Sequence, residues 1–201
     1  SLDGKRRILG VSVAMSEREV HWRTFLTSLV DRGLHGVKLV TSDAHAGLKA
    51  AKQAVFPSVP WQRCQFHLQQ NAQSYVPKKS MKAEVADDIR AVFNAPDDEE
   101  ARRLLNKAVK KYEESAPELS RWMESNVPES LTVFQFPARH RKKLRTSNVA
   151  ERVNRELKRR TRLVSIFSNV ASCLRLVSAL AAEIDEEWQT GKNYMIMNDE
   201  D

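Results

Sequence analysis

The chain has 201 residues, enough for one domain of ordinary size or one domain carrying a sizeable insertion. Its composition, 41% apolar and 29% charged, excludes a disordered chain, and no apolar run is long enough to span a membrane. The formal net charge of +7 is concentrated: from Arg139 to Arg162 eleven Lys or Arg stand against two acids, a surplus of nine, so the rest of the chain carries a net −2.

Such a basic segment is the footprint expected for a polyanion, with nucleic acid the commonest; a solvated charged helix is the alternative. Two cysteines, Cys64 and Cys173, are too few for a disulfide framework. With no signal peptide in view, they point to a reducing, cytoplasmic setting.

In chain order, "SLDGKRRILGVSVA" opens without an initiator Met. Asp3-Gly4 is a hairpin-turn signal, and Ile8, Val11 and Val13 read as a strand, so the sequence reads as a piece of something longer. "SEREVHWRTFLTSLVDRG" predicts a helix capped by Ser16 with Glu19, striped by Val20, Phe25 and Leu29, and stopped at Gly33. "VKLVT" predicts a buried strand, "AHAGLKAAKQAVF" a helix, and "WQRCQFH" a third strand that runs into a helix through Asn71 and Tyr75. This alternation predicts an α/β fold with a mixed sheet covered by helices.

The character changes after Pro77. Val85, Ile89, Val92 and Phe93 mark one helix, Ala101, Leu104, Leu105, Ala108 and Tyr112 another, and a third surrounds Trp122. Residues 77–137 are therefore expected to be an all-helical insertion. Beyond Thr146 another helix carries Val149, Val153 and Leu157 as its apolar stripe, which turns Glu151 to the opposite face beside Asn154, Arg155 and Lys158. A last helix through Phe167, Val170, Leu174, Val177, Ala181, Ile184 and Trp188 should cover the sheet, and residues 191–201 form a polar tail.

Two acids stand out. Asp43 ends a buried strand, where α/β folds place their sites, and also precedes a helix that it could simply cap. Glu151 sits among cations, where it could hold a metal beside a phosphodiester or merely pair with Arg155. Carboxylates suit Mg²⁺ or Mn²⁺, and a pair of such metals about 3.5–4 Å apart activates the attacking oxygen and stabilises the leaving one in phosphoryl transfer. Arg155 and Lys158 would then position phosphates, and Arg141, Lys142, Lys143 and Arg145, just ahead of this helix, are the natural non-specific contacts to DNA.

The stretches "VTSDAHAGLKAAKQAVFPSVPWQRCQFHLQQNAQSYVPKK" and "RTSNVAERVNRELKRRTRLVSIF", with the final "IDEEW", resemble the mutator-type transposases of bacterial insertion sequences. The resemblance implies a ribonuclease-H-like core formed by residues 1–76 and 138–190, with a helical insertion between its parts. It also implies an Asp-Asp-Glu triad holding two Mg²⁺ or Mn²⁺ ions. Asp43 matches the second Asp, Glu151 matches the Glu, and Cys64 and His67 match a Cys-x-x-His signature. The family's first Asp lies upstream of the hairpin; Asp3 is a turn residue instead, and the family's N-terminal DNA-binding region has no counterpart in this sequence. An N-terminally truncated transposase is therefore expected.

Its partners would be element ends, target DNA and further copies of itself as a homo-oligomer, with no membrane. The competing expectation is an inactive truncated remnant that still binds DNA or full-length transposase. Cys64 and His67 lack the second ligand pair of a structural zinc site, so packing near the active site is the favoured reading. His45 reads as a phosphate or proton-transfer partner or as a helix start, and Trp122 as a base-stacking ring or as core.

Overall fold

The computed structural model describes residues 3–14, 18–162 and 167–197. In chain order the elements are α1 (Glu19–Asp31), β1 (Val40–Ser42), α2 (Ala46–Val55), β2 (Trp61–Arg63), α3 (Gln65–Ala72), α4 (Lys82–Phe93), α5 (Asp98–Tyr112), α6 (Pro117–Asn126), α7 (Ala138–Leu144), α8 (Asn148–Thr161) and α9 (Val170–Thr190). The protein is mostly helical. Among the described residues the sheet has two strands, β1 and β2, which run parallel with Val40 opposite Trp61 and Ser42 opposite Arg63. The chain forms two compact units, one of Lys38–Ala44 and Val59–Ser147, the other of Ser1–Val37, His45–Ser58 and Asn148–Asp201.

The first unit holds both strands and the helical segment that follows them. Helix α5 starts because the Asp97 side chain accepts the Glu100 N–H at 2.8 Å, and three acids in its first turn against two lysines in its last suit the dipole. Its buried stripe of Ala101, Leu105, Ala108 and Tyr112 meets Val85, Ile89, Val92 and Phe93 of α4 and Leu119 and Met123 of α6 in one core. Each large aliphatic side chain fully buried there contributes about 1.5–3 kcal/mol. At the rim of this core Asp88 accepts both the Tyr112 hydroxyl and the Lys111 ammonium at 2.6 Å. Burial, with help from Asp88, holds the Tyr112 hydroxyl well above the usual range.

Buried Gln62 joins β2 to this core. Its Nε2 donates to the Ser130 carbonyl and its Oε1 accepts the Val133 N–H, both at 2.7 Å. Thr132 completes the seam by donating its hydroxyl to the Trp61 carbonyl at 2.7 Å. The short strands therefore rest on side-chain bonds as much as on their own ladder.

In the second unit α1 packs with α2, and α8 with α9. Asn169 and Ser172 form a capping box that starts α9, three residues beyond Phe167, where the apolar pattern had placed its first turn. Residues 6–14, expected as a strand, run without ladder partners among the described residues and are held by side chains instead. The Ile8 N–H donates to Asp185 at 2.6 Å, Gln189 donates to the Arg6 carbonyl at 2.7 Å, and Arg32 donates to the Leu9 carbonyl at 2.7 Å. The turn at Gly4 is present, with φ of 75°, and the carbonyl of Gly4 accepts the N–H groups of Tyr194 and Met195 at 2.9 Å. A Cβ at Gly4 would lie 2.0 Å from the Met195 carbonyl oxygen, so glycine is required twice over.

Two further expectations change. "CQFH" is not strand: β2 stops at Arg63, Cys64 is the residue before α3, and His67 lies on that helix. In α1, Leu29 is buried but Val20 is 58% exposed, so the apolar stripe is only partly used. The expected Ser16 cap lies outside the described residues, and α1 begins after Arg18 with no side-chain cap bond. Among the described residues no helix is long and apolar enough to cross a membrane.

Candidate functional site

Asp43 follows directly on β1, at the carboxyl end of the strand. Ser42 beneath it is buried, and its hydroxyl accepts the Trp61 indole N–H and donates to the Asp43 carbonyl, both at 2.9 Å. This holds the backbone and turns the carboxylate outward, where the Asp43 side chain is 51% exposed. One of its oxygens, Oδ1, accepts the Ala44 N–H at 2.7 Å and stands 4.0 Å from His67 Nδ1. No described residue donates to the other oxygen.

The sequence left open whether Asp43 only caps the next helix. It does not: α2 is capped by His45, whose Nδ1 accepts the Leu48 N–H at 3.3 Å. An imidazole in a role usually filled by Asp or Ser leaves the Asp43 carboxylate available. That same bond makes His45 the helix start.

Cys64 is fully buried. Its N–H donates to the Ser42 carbonyl at 2.7 Å, prolonging the ladder one step past the strands, and its Sγ accepts the Ser147 N–H at 3.4 Å. Next to it, Arg63 is only 5% exposed, which sequence reasoning missed. Its Nη1 donates to Asn126 at 2.7 Å and lies 3.2 Å from a Glu129 oxygen. The Arg63 guanidinium is 5.8 Å from the centroid of Trp122, which stacks on Tyr75 at 5.2 Å. Trp122 is half-buried and engaged on this cluster, so the core reading holds for it. A buried arginine cannot be told from an exposed one by composition; only the nearby Glu129 and aromatic residues hint at it.

The basic residues expected to meet DNA divide into two kinds. Arg141 spends its guanidinium on three backbone carbonyls, those of Phe136 at 2.8 Å, Pro96 at 2.7 Å and Phe134 at 3.2 Å. Arg145 donates to Asn94 Oδ1 at 2.9 Å and to the Phe93 carbonyl. Lys142 and Lys143 between them are exposed. Arg141→Ala should therefore cost about 1–3 kcal/mol of stability in urea unfolding, whereas Lys142→Ala should stay within about 0.5 kcal/mol of the parent.

In the other unit, Glu151 is half-buried on α8 with Arg155 and Lys158 exposed along the same face. At about 100° per residue, Arg155, Lys158 and Arg162 fall within about 40° of Glu151 around the helix axis. With Asn154, Arg159 and Thr161 they line one open concave surface. Glu156 lies off that face, and the Arg159 and Arg160 guanidinium groups bonded to it hold its carboxyl down at about 2. Arg160 also pairs with Glu183, linking α8 to α9. These pairs occupy Arg159 and Arg160, while Arg152, Arg155, Lys158 and Arg162 point charge outward. Asp43 and His67 are thus brought together in one unit, and Glu151, Arg155 and Lys158 in the other.

The family described as "Transposase, Mutator family" matches residues 1–191. The chain is 60% identical over 195 residues to the transposase for insertion sequence element IS406 of Burkholderia multivorans, covering 97% of this chain and 50% of that protein. It is 42% identical over 197 residues to the transposase for ISRM5 of Rhizobium meliloti, covering 98% and 49%. It is also 35% identical over 188 residues to the transposase for IS256 in transposon Tn4001 of Staphylococcus aureus, covering 92% and 48%. The chain thus spans about half the length of the curated relatives it matches.

Proposed function

Because the chain belongs to the Mutator family of transposases, we propose that it is the strand-cleaving and strand-transferring part of an insertion-sequence transposase, built on a ribonuclease-H-like fold. The observation that carries this reading is Asp43: an exposed carboxylate at the carboxyl end of a parallel strand, relieved of helix capping by His45 and bordered by His67.

Asp43 and Glu151 are the proposed ligands of Mg²⁺ or Mn²⁺. The donor chemistry fits: both are carboxylates, hard oxygen ligands of the kind these ions prefer, and Asp43 keeps one oxygen clear of described donors. A metal pair bound there would activate the attacking oxygen and stabilise the leaving one. The reading calls for a third acid. Asp3, whose Oδ1 accepts the Lys5 N–H at 2.9 Å, is read as a turn residue rather than as that acid.

The chain's own residues do the rest. Arg155 and Lys158, on the same helix face as Glu151, hold backbone phosphates, and exposed Lys142 and Lys143 add non-specific attraction. The substrate is DNA, element ends first and target DNA second, handled by a homo-oligomer.

Neutralising Lys142, Lys143, Arg155 and Lys158 together should weaken binding to any duplex and lower the log–log salt slope by about 0.9 for each phosphate no longer neutralised. Neutralising the exposed Lys78, Lys79, Lys107 and Lys110 should do much less. Titrations of both variants against salt decide the matter, and equal effects would show that overall charge, not this surface, attracts DNA.

A further inference from the structure

Three hydrogen bonds converge on Leu144–Ser147, the last residue of α7 and the three residues that join it to α8. The Thr41 hydroxyl donates to the Leu144 carbonyl at 2.7 Å. The Gln65 N–H donates to the Arg145 carbonyl at 3.0 Å. The Ser147 N–H donates to Cys64 Sγ at 3.4 Å. The anchors are themselves fixed: Thr41 lies in β1 opposite Gln62, and the Cys64 N–H is bonded to Ser42. The linker is therefore clamped at three points against the end of the strand that presents Asp43.

We propose that Thr41 and Cys64 are positioning residues for strand cleavage, holding the linker Leu144–Ser147 that leads into the helix bearing Glu151. This rests on the reading of Asp43 and Glu151 as catalytic carboxylates. A buried cysteine commonly serves only as a small apolar filler. Here its sulfur also stands at acceptor distance from a linker N–H, and its own N–H extends the ladder beside Asp43. The middle bond of the clamp is backbone to backbone and insensitive to side-chain identity. The outer two depend on side chains, so Thr41 and Cys64 set whether the linker stays in place. Sulfur suits the outer position because it accepts at 3.4 Å, where an oxygen acceptor needs about 2.9 Å.

The test uses the full-length protein, with Mg²⁺-dependent cleavage of element ends as one readout and amide hydrogen exchange as the other. Thr41→Val removes the hydroxyl at nearly constant volume, Thr41→Ser keeps it, and Cys64→Ala removes the sulfur acceptor. Thr41→Val and Cys64→Ala should each lower kcat about tenfold or more, since small misplacements of reacting groups are costly. KM and duplex affinity should stay within about twofold, and Thr41→Ser should retain activity within about threefold of the parent.

In Cys64→Ala the Ser147 amide should exchange at least about tenfold faster while the amides of Ile89 and Leu105 keep their rates. Unchanged kcat in Thr41→Val and Cys64→Ala, or uniformly faster exchange across the core, would overturn the proposal. The exchange measurement needs no activity. If the parent protein fails to cleave, the catalytic reading fails, and the Ser147 amide still reports whether the clamp exists.

Discussion

Asp43→Asn and Glu151→Gln, each made alone in the full-length protein, are expected to lower metal-dependent cleavage of element ends by at least about a thousandfold. Duplex affinity should remain within about twofold, because neither residue is one of the cations that neutralise phosphate. The Asp43 substitution is conservative for the fold: an amide oxygen can still accept the Ala44 N–H that Oδ1 now accepts at 2.7 Å. Lost activity would therefore report lost charge rather than a lost turn. A second readout is independent of turnover. With Fe²⁺ in place of Mg²⁺, and hydrogen peroxide and ascorbate added, hydroxyl radicals formed by reduction of the peroxide at the site should cut the backbone near both Asp43 and Glu151. Cleavage surviving in Glu151→Gln, or backbone cuts near Asp43 only, would remove Glu151 from the site; cuts near Glu151 only would remove Asp43.

The second large effect concerns stability. Ile89→Ala should cost about 2–5 kcal/mol, because Ile89 is fully buried between helices whose packed neighbours leave little room to relax. Val20→Ala should stay within about 0.5 kcal/mol, because Val20 is 58% exposed. Both residues belong to apolar stripes at helical spacing, so the pair separates pattern from burial. Urea unfolding of the two variants is the measurement, and comparable losses would mean that the face carrying Val20 is covered in solution.

That contrast shows what the sequence made legible. The helices around Ile89, Leu105 and Trp122 could be read because their apolar spacing and the flanking prolines agree, and local preference matches the tertiary answer. The strands were harder. "WQRCQFH" has only three apolar residues in seven, too few for either period to prevail, and the turn into helix at Cys64 is set by its bond to Ser42, a partner 22 positions earlier. The segment after Gly4 alternates like a strand, but alternation cannot say whether a ladder partner or a set of side chains will receive the backbone groups.

The site divides in the same way. That Asp43 ends a strand was visible in "VKLVTSD"; that it is not a cap depended on the ring nitrogen of His45, which no capping preference favours. The surplus of cations around Arg141 was visible by counting. Counting could not distinguish a guanidinium that closes on Pro96, Phe134 and Phe136 from an ammonium that faces water. The expectation that Asp43 and Glu151 act together rests on family resemblance, since no periodicity links residues so far apart.

The side-chain bonds that hold residues 6–9 also set a timetable for synthesis. Ile8 is bonded to Asp185 and Arg6 to Gln189, partners 177 and 183 positions later in the chain. At about 5–20 residues per second, Ile8 leaves the ribosome roughly ten to forty seconds before Asp185 does. Throughout that interval the segment "ILGVSV" has no native partner on α9, while the strands and helices of Lys38–Ala44 and Val59–Ser147 are complete before its end. Nascent-chain chaperones would therefore meet this segment as exposed apolar backbone, and its capture by α9 is a late closure over nearly the whole chain.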